Sequence, residues 1–241
     1  LSTAHLRSYC TGVLPDSDSE LRELLDDVGV EVKRIEEDGA AFSVELLANR
    51  GDHRCYAGIA RELAGRIGGD ISLPECATLE PGTAPIELRL ETERCLVYTA
   101  TLIEIDEVEQ DFPASVMVPL LAAGLQPVNA AVDATNLVNL ELGQPTHLFD
   151  ADTIEGSITI REARAGELAW PLFHEEKVEV PEGAIVIADD TKILAIAGVI
   201  GCEESKVTSG TKRMLLESAC FDPVSVRKAG RALGIHTDSS A

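Results

Sequence analysis

The chain has 241 residues, of which 45% are hydrophobic and 26% charged, so it can bury the core of one large domain or of two modest ones. Its 42 acidic residues outnumber 20 basic residues and give a formal net charge of −22, which argues against a broad nucleic-acid surface built from lysine and arginine. The sequence contains no apolar run of membrane-spanning length, no signal-peptide pattern and no Cys-x-x-Cys pair, so we expect a cytoplasmic protein without a metal or another cofactor.

The N-terminal third of the chain predicts a small α/β domain. A capping-box pattern and leucines at helical spacing predict a helix over residues 17–28, and alternating apolar and polar residues predict a strand at 42–47. A second helix is expected over residues 52–67, with Asp52 as its N-cap. Proline and glycine then indicate a linker, so we place this domain at residues 1–84.

The remaining residues, 85–241, predict a larger domain with a mixed sheet and flanking helices. Short apolar runs predict strands at 86–90, 96–105, 158–160, 184–188, 193–199 and 214–216. Helices are expected over residues 113–124 and 223–233, the second with Asp222 as its cap and Gly234 as its end. The predicted fold class is therefore α+β.

Three segments place polar or small residues among apolar ones. In the first, residues 132–147, Thr135 and Asn136 interrupt an apolar helix, which Gly-Gln-Pro ends shortly before His147. Polar groups on an apolar background either satisfy buried backbone or face a ligand. Both interpretations stay open for this segment.

The second segment carries Gly198 and Gly201, and glycines in a strand allow close approach of a ligand or simply tight packing. The third carries Glu217 between apolar and small residues. A carboxylate in such a setting either pairs with a basic residue or accepts a hydrogen bond from a substrate hydroxyl. General catalytic patterns, such as a phosphate-binding loop or a dinucleotide fingerprint, are not present in the sequence.

Four motifs in order span nearly the whole chain. They are Asn49-Arg50-Gly51-Asp52 with the helix after it, residues 132–150 ending Gly-Gln-Pro-Thr-His-Leu-Phe-Asp, residues 197–201 with 216–219, and residues 231–240. Together they closely resemble the β subunit of bacterial phenylalanyl-tRNA synthetase. In that family these blocks form a small N-terminal α/β domain and an editing module that hydrolyses tyrosine wrongly attached to phenylalanine tRNA. The resemblance therefore implies a partner, the 3′ end of an aminoacyl-tRNA.

The resemblance also implies two sets of site residues. The catalytic set, near the ester, the terminal adenosine or the attacking water, is His147, Thr237 and Asn136. The substrate-binding set is Glu217, Gly201, Thr135, Ser239 and Cys202. Within it, Glu217 and the backbone near Gly201 would read the amino-acid side chain. An aminoacyl ester needs no strong nucleophile, because positioning and polarisation can suffice.

The chain departs from the family pattern in several places. The family inserts a tRNA-binding β-barrel before the Asn-Arg-x-Asp motif and continues after Ser240 into further domains, and neither part is in this sequence. Cys202 stands where the family usually has a second glycine, and Ser239 stands where a small apolar residue often lines the pocket. These changes bear on which amino acid the pocket accepts.

Three functions follow from these observations. The leading hypothesis is a free-standing aminoacyl-tRNA deacylase for tyrosine or a related amino acid. The altered pocket lining favours a second, transfer of the aminoacyl group from tRNA to a small acceptor. The negative charge and the missing barrel favour a third, a non-catalytic module that binds tRNA, an amino acid or a protein partner.

Overall fold

The computed structural model describes residues 1–12, 14–36, 39–76, 78, 86–106, 108 and 113–240. Two compact units divide the chain, the first formed by residues 1–80 and 110–144 and the second by residues 81–109 and 145–241. The domain boundary expected at residue 84 falls outside the described residues and stays a prediction. Helices and several sheets occur together, which confirms the α+β class.

The described part of the first unit consists of helices and a two-stranded antiparallel sheet. Its elements are α1 (Thr3–Ser8), α2 (Asp18–Asp27), β1 (Val30–Glu36), β2 (Ala41–Leu46), α3 (Tyr56–Ile67), α4 (Ala114–Ala122) and α5 (Ala130–Leu142). Leu21 and Leu25 on α2 pack with Phe42 on β2 and Leu63 on α3 in one buried cluster. The leucine spacing that predicted α2 therefore marks the face that α2 buries.

Two predicted helix caps in this unit are wrong in detail. Ser17 precedes α2 as expected, but its side chain makes no capping hydrogen bond. Asp52 lies in a 3-10 turn, Gly51–Arg54, and Cys55 caps α3 instead. The reason is that Arg50 takes both oxygens of the Asp52 carboxylate, at 2.9 and 2.7 Å.

Within its described residues, the second unit contains two main sheets, a small hairpin and one α-helix. Its elements are β3 (Leu88–Leu90), β4 (Cys95–Glu104), β5 (Thr146–Asp150), β6 (Ile158–Glu162), β7 (Leu168–Ala169), β8 (Val178–Glu179), β9 (Ile185–Ala188), β10 (Ile193–Ile196), β11 (Ile200–Gly201), β12 (Arg213–Phe221) and α6 (Pro223–Leu233). The five-stranded sheet has the order β11-β10-β9-β6-β3, and the three-stranded sheet has the order β4-β12-β5. Only the β3–β6 pair in these sheets is parallel, which confirms the expected mixed sheet.

The two main sheets share one hydrophobic core. Phe149 on β5 and Leu215 on β12 pack in the same cluster as Ile160 on β6 and Ile187 on β9. The strand predicted at 193–199 ends at Ile196, the last residue of β10, because Gly198 adopts a positive φ of 68° and turns the chain before β11. The strand predicted at 214–216 extends over the whole of β12.

Helix α6 follows its sequence signals closely. The Asp222 carboxylate accepts a hydrogen bond from the Ser225 N–H at 2.7 Å, Pro223 opens the helix, and Gly234 ends it in the left-handed conformation.

Among the described residues, no helix has both the length and the apolar character needed to cross a membrane.

Candidate active site on the three-stranded sheet

Glu217 and His147 lie directly opposite each other on neighbouring strands. β12 is the central strand of the three-stranded sheet, and its register pairs Glu217 with His147 on β5 and with Ala100 on β4. Residues in direct register point to the same face of a sheet, with Cβ atoms about 4.5–5.5 Å apart. The next pair along that face, Leu215 with Phe149, belongs to the core between the two main sheets. The carboxyl and imidazole groups therefore share the face of the sheet that is turned toward the core.

The Glu217 carboxyl is buried without a charged or hydrogen-bonding partner in the described part of the chain. The residue is 7% exposed, and burial alone raises the pKa of its carboxyl to about 7. Removing a carboxylate from water disfavours its charged form, so a large fraction of this group is neutral at physiological pH. The sequence left open whether Glu217 pairs with a basic residue, and in the described part of the chain it does not. A polar group of this kind is available to a ligand.

The His147 ring is also without a hydrogen bond at its buried Nε2 atom, within the residues that the structure describes. The ring contacts Phe149 edge-on, with centroids 4.7 Å apart and planes at 74°. Burial lowers the pKa of the imidazole to about 4. His147 is therefore neutral near pH 7, with one ring nitrogen as a donor and the other as an acceptor.

Gly201 explains how the imidazole fits. A Cβ atom at position 201 would lie 2.5 Å from His147 Nε2 and 3.3 Å from Leu172 Cδ1. Any larger residue would therefore displace the ring. Of the two alternatives for this glycine, the structure shows tight packing, here against the His147 ring, and a substrate-binding role of Gly201 stays a prediction. Gly198 has a different role. Its φ of 68° belongs to the turn between β10 and β11, and a Cβ atom there would lie 2.8 Å from Val226 Cγ2 on α6.

Tyr98 is a further polar residue on this face, and sequence reasoning missed it. It lies on β4, two residues before Ala100, and its buried hydroxyl has no hydrogen-bond partner among the described residues. Burial raises the pKa of the phenol, and the nearby charge of Glu217 raises it further. Alternation along residues 95–105 could have placed Tyr98 and Ala100 on one face, but the sequence does not show that Glu217 joins them.

Thr237 lies next to the turn that joins β10 and β11. Its hydroxyl donates a hydrogen bond to the Val199 carbonyl at 2.7 Å, and its N–H donates to Ser240 Oγ at 3.0 Å. Ser239 is exposed in the short 3-10 helix beside it. Thr237 therefore keeps its oxygen lone pairs as acceptors, while its proton is used by the backbone.

Cys202 has the least room for contact with a ligand. The residue is fully buried in the cluster that contains Val180 and Ile196, and burial raises the pKa of its thiol to about 12. A thiol with such a pKa stays protonated and is a poor nucleophile. Its assignment as a substrate-binding residue stays a prediction.

Thr135 and Asn136 lie on α5 in the first unit, whereas His147, Glu217 and Gly201 belong to the second. The Thr135 hydroxyl donates to the Val132 carbonyl of its own helix at 2.7 Å. The structure thus brings His147, Glu217 and Gly201 together, and the roles of Thr135 and Asn136 stay predictions.

Potential metal ligands meet at one place in the described part of the chain, Asp52, His53 and Glu62 of the first unit. The carboxylates there are already bound by Arg50, whose Nη2 lies 2.7 Å from Asp52 Oδ2 and 2.5 Å from Glu62 Oε2. The guanidinium lowers the pKa of Asp52 to about 2. Because an arginine cation fills the position between these oxygens, we interpret the group as an ion-pair network.

The sequence profile of the B3/4 domain matches residues 94–241, which include β5, β11 and β12 with the site residues on them. The chain therefore belongs to the B3/4 domain family. Its homologues include the phenylalanine–tRNA ligase β subunits, which confirms the resemblance read from the four motifs.

Three of these relatives illustrate the similarity. The phenylalanine–tRNA ligase β subunit of Pseudomonas syringae pv. tomato is 39% identical over 206 residues, which are 84% of this chain and 26% of that protein. The Aquifex aeolicus β subunit is 41% identical over 199 residues, 83% of this chain and 25% of that protein. The Acinetobacter baylyi β subunit is 37% identical over 231 residues, 94% of this chain and 29% of that protein. The chain thus spans about a quarter of the length of these curated relatives.

The crystal structure of an N-terminal fragment of the phenylalanyl-tRNA synthetase β subunit from Pyrococcus horikoshii is also similar. It aligns with 97% of this chain and 72% of that chain, with a TM-score of 0.49 and 17% sequence identity.

Proposed function

We propose that this chain hydrolyses the ester of aminoacyl-tRNAs that carry tyrosine or a related phenolic amino acid. The observation that carries the proposal is the Glu217 carboxyl, unpartnered among the described residues, directly opposite the neutral His147 ring on the face that also carries Leu215 and Phe149. Membership of the B3/4 domain family and homology to synthetase β subunits support it.

Recognition of a phenolic side chain follows from the surroundings of Glu217. The ring of the substrate would contact apolar residues of this face, and its hydroxyl would exchange a hydrogen bond with the carboxyl. A phenylalanyl side chain has no such hydroxyl and would leave the buried carboxyl without a partner, which costs about 1–3 kcal/mol. Since tenfold in affinity is about 1.4 kcal/mol, we expect at least about fivefold preference for tyrosine over phenylalanine.

Hydrolysis requires a placed water more than a strong base. The water oxygen bonds to the carbonyl carbon of the ester and gives up a proton, the bond from that carbon to the ribose oxygen breaks, and the ribose oxygen takes up the proton that the water lost. With its pKa near 4, His147 is a weak base. It would orient the water by accepting a hydrogen bond from it, or polarise the carbonyl by donating one.

The remaining residues have supporting roles in the proposal. The free acceptor lone pairs of Thr237 would contact the amino group or the water, next to the turn at Val199. On the resemblance, Thr135 and Asn136 would contact the ester or the terminal adenosine. Ser239 and Cys202 would influence which side chain fits.

Release of amino acid from tyrosyl-tRNA tests the proposal. We expect wild-type protein to release tyrosine, and Glu217→Ala and His147→Ala to lose most of this activity. Val224→Ala on α6 is the matched control, because it removes an exposed apolar side chain of the same unit. If wild-type protein releases no amino acid from any aminoacyl-tRNA in a panel, hydrolysis is ruled out.

The net charge of −22 favours a second candidate, a non-catalytic module that binds an amino acid or a protein partner. Tyrosinamide that binds wild type but not Glu217→Ala, with no turnover of tyrosyl-tRNA, would favour it. The departure from the family pattern at Cys202 favours a third, transfer of the aminoacyl group to a small acceptor. Product that forms only when an amine acceptor is added would separate transfer from hydrolysis.

A further inference from the structure

The loop between β7 and β8 holds an exposed aromatic ring on a strained backbone. The His174 N–H donates to the Pro171 carbonyl at 3.2 Å and closes a four-residue turn. Phe173 is the third residue of that turn and has a φ of 65°, a conformation that type II turns require there and that glycine normally supplies. Its side chain is 91% exposed. Both features disfavour phenylalanine at this position for folding alone, and strained residues of this kind cluster at functional sites.

Hydrogen bonds hold this turn against the segment that contains Gly201 and Glu203. The Leu172 N–H donates to the Gly201 carbonyl at 2.9 Å, and the Glu203 N–H donates to the Trp170 carbonyl at 2.8 Å. The carboxylate of Glu203 accepts the Phe173 N–H at 3.1 Å. Lys206 and this N–H both hold the pKa of Glu203 below its usual range, so the acceptor stays charged. The turn is therefore a fixed support.

The turn also reaches the active-site face directly. Leu172 Cδ1 would lie 3.3 Å from a Cβ at Gly201, the same glycine that the His147 ring covers. Leu172 and His147 thus meet at one backbone position. Phe173 follows Leu172 in the chain and carries its ring in solvent, so it lies at the rim of the candidate site.

We propose that Phe173 is a base-stacking residue, which binds the terminal adenine of the aminoacyl-tRNA against its ring. This inference rests on the proposed function and adds a substrate-binding residue to it. A tRNA end needs attraction that does not depend on cations here, because the chain carries a net charge of −22. Stacking on an aromatic side chain supplies such attraction, since every base has a π face. A solvent-facing ring on a hydrogen-bonded turn at the rim of the candidate site is positioned for that contact.

Binding of two stable probes tests the proposal by titration calorimetry. The first is 3′-(L-tyrosyl)amino-3′-deoxyadenosine, an amide that cannot be hydrolysed as the ester is, and the second is L-tyrosinamide, which has no base. We expect Phe173→Ala to weaken binding of the adenosine probe by about 5- to 150-fold, as expected for one lost stacking contact. Binding of tyrosinamide should stay unchanged, and Phe173→Trp should retain affinity for both probes.

Leu168→Ala is the matched control, because it removes another exposed apolar side chain, 56% exposed, from the neighbouring strand β7. It should change neither affinity. Unchanged binding of the adenosine probe by Phe173→Ala would overturn the inference, and so would an equal loss for both probes, since the ring would then act on the tyrosyl pocket. If tyrosinamide binds wild type but the adenosine adds nothing, stacking is wrong while the proposed function stands. If wild type binds neither probe, the proposed function itself fails, and stacking with it.

Discussion

Opposite pKa shifts in Glu217 and His147 predict how the folding stability of the second unit depends on pH. Burial raises the pKa of Glu217 from 4.5 to about 7, so between these values the folded state holds a proton that the unfolded state has lost. The resulting stability is fully present below pH 4.5 and is lost as pH rises through about 7. Burial lowers the pKa of His147 from 6.5 to about 4, so its stability is present above pH 6.5 and is lost as pH falls toward 4.

Each shift of about 2.5 units corresponds to about 3 kcal/mol of unfolding free energy, at about 1.4 kcal/mol per unit. Between pH 4.5 and 6.5 the two contributions have opposite slopes and nearly cancel in wild type. Glu217→Gln removes the contribution that falls with pH, so the unfolding free energy of this variant should rise by about 3 kcal/mol between pH 4 and pH 6.5. His147→Gln removes the rising contribution and should lose about 3 kcal/mol between pH 4.5 and 7.

Urea unfolding at half-unit pH steps measures both slopes. Trp170, the only tryptophan, belongs to the second unit, so its fluorescence follows the unit that contains the pair. Subtracting each variant curve from the wild-type curve isolates one group, because other titrating groups are common to both. If the Glu217→Gln curve runs parallel to wild type from pH 4.5 to 7, the carboxyl is solvated or paired and the reasoning about its burial is refuted.

Two further predictions concern single positions. Gly201→Ala should destabilise the second unit by about 1–3 kcal/mol and also reduce deacylation, because the added Cβ would overlap the His147 ring. Gly210→Ala is the control and should do neither, because the atom nearest to its added Cβ is 3.8 Å away. Equal stabilities of the two variants in urea would contradict the contact between Gly201 and His147. Phe173→Gly should raise the unfolding free energy by about 1 kcal/mol relative to Phe173→Ala, since both lose the ring but only glycine relieves the positive φ. Equal midpoints for these two variants in thermal unfolding would show that the turn is not strained.

The sequence predicted most accurately those helix ends that are determined by signals within one turn. Helix α6 begins after Asp222 and ends before Gly234 as expected, because a cap, a helix-opening proline and a left-handed glycine each act within one turn. The start of α3 was missed because Arg50 competes for the Asp52 carboxylate. That competition depends on where a neighbouring side chain lies, which a capping pattern does not contain.

The sequence predicted which residues form the candidate site but not how they are arranged in space. Glu217 and His147 stand out as polar groups in apolar segments, yet their pairing comes from the register of strands 70 positions apart. The same polar residue shortened the prediction for β12, because Glu217 interrupts the apolar run that identified the strand. Tyr98 joined the set only through the partner strand β4, and no local feature links it to Glu217.

The antiparallel register of β12 has a consequence for how this protein tolerates changes in length. Successive side chains of a strand point to opposite faces of the sheet. One residue inserted or deleted between Met214 and Glu217 would therefore turn the carboxyl away from the imidazole, although Glu217 and His147 would both still be present. Residues 207–210 of the connection before the strand are exposed or half-buried and would absorb the same insertion at little cost. Natural variation in length should therefore accumulate in that connection and stop abruptly where the strand begins.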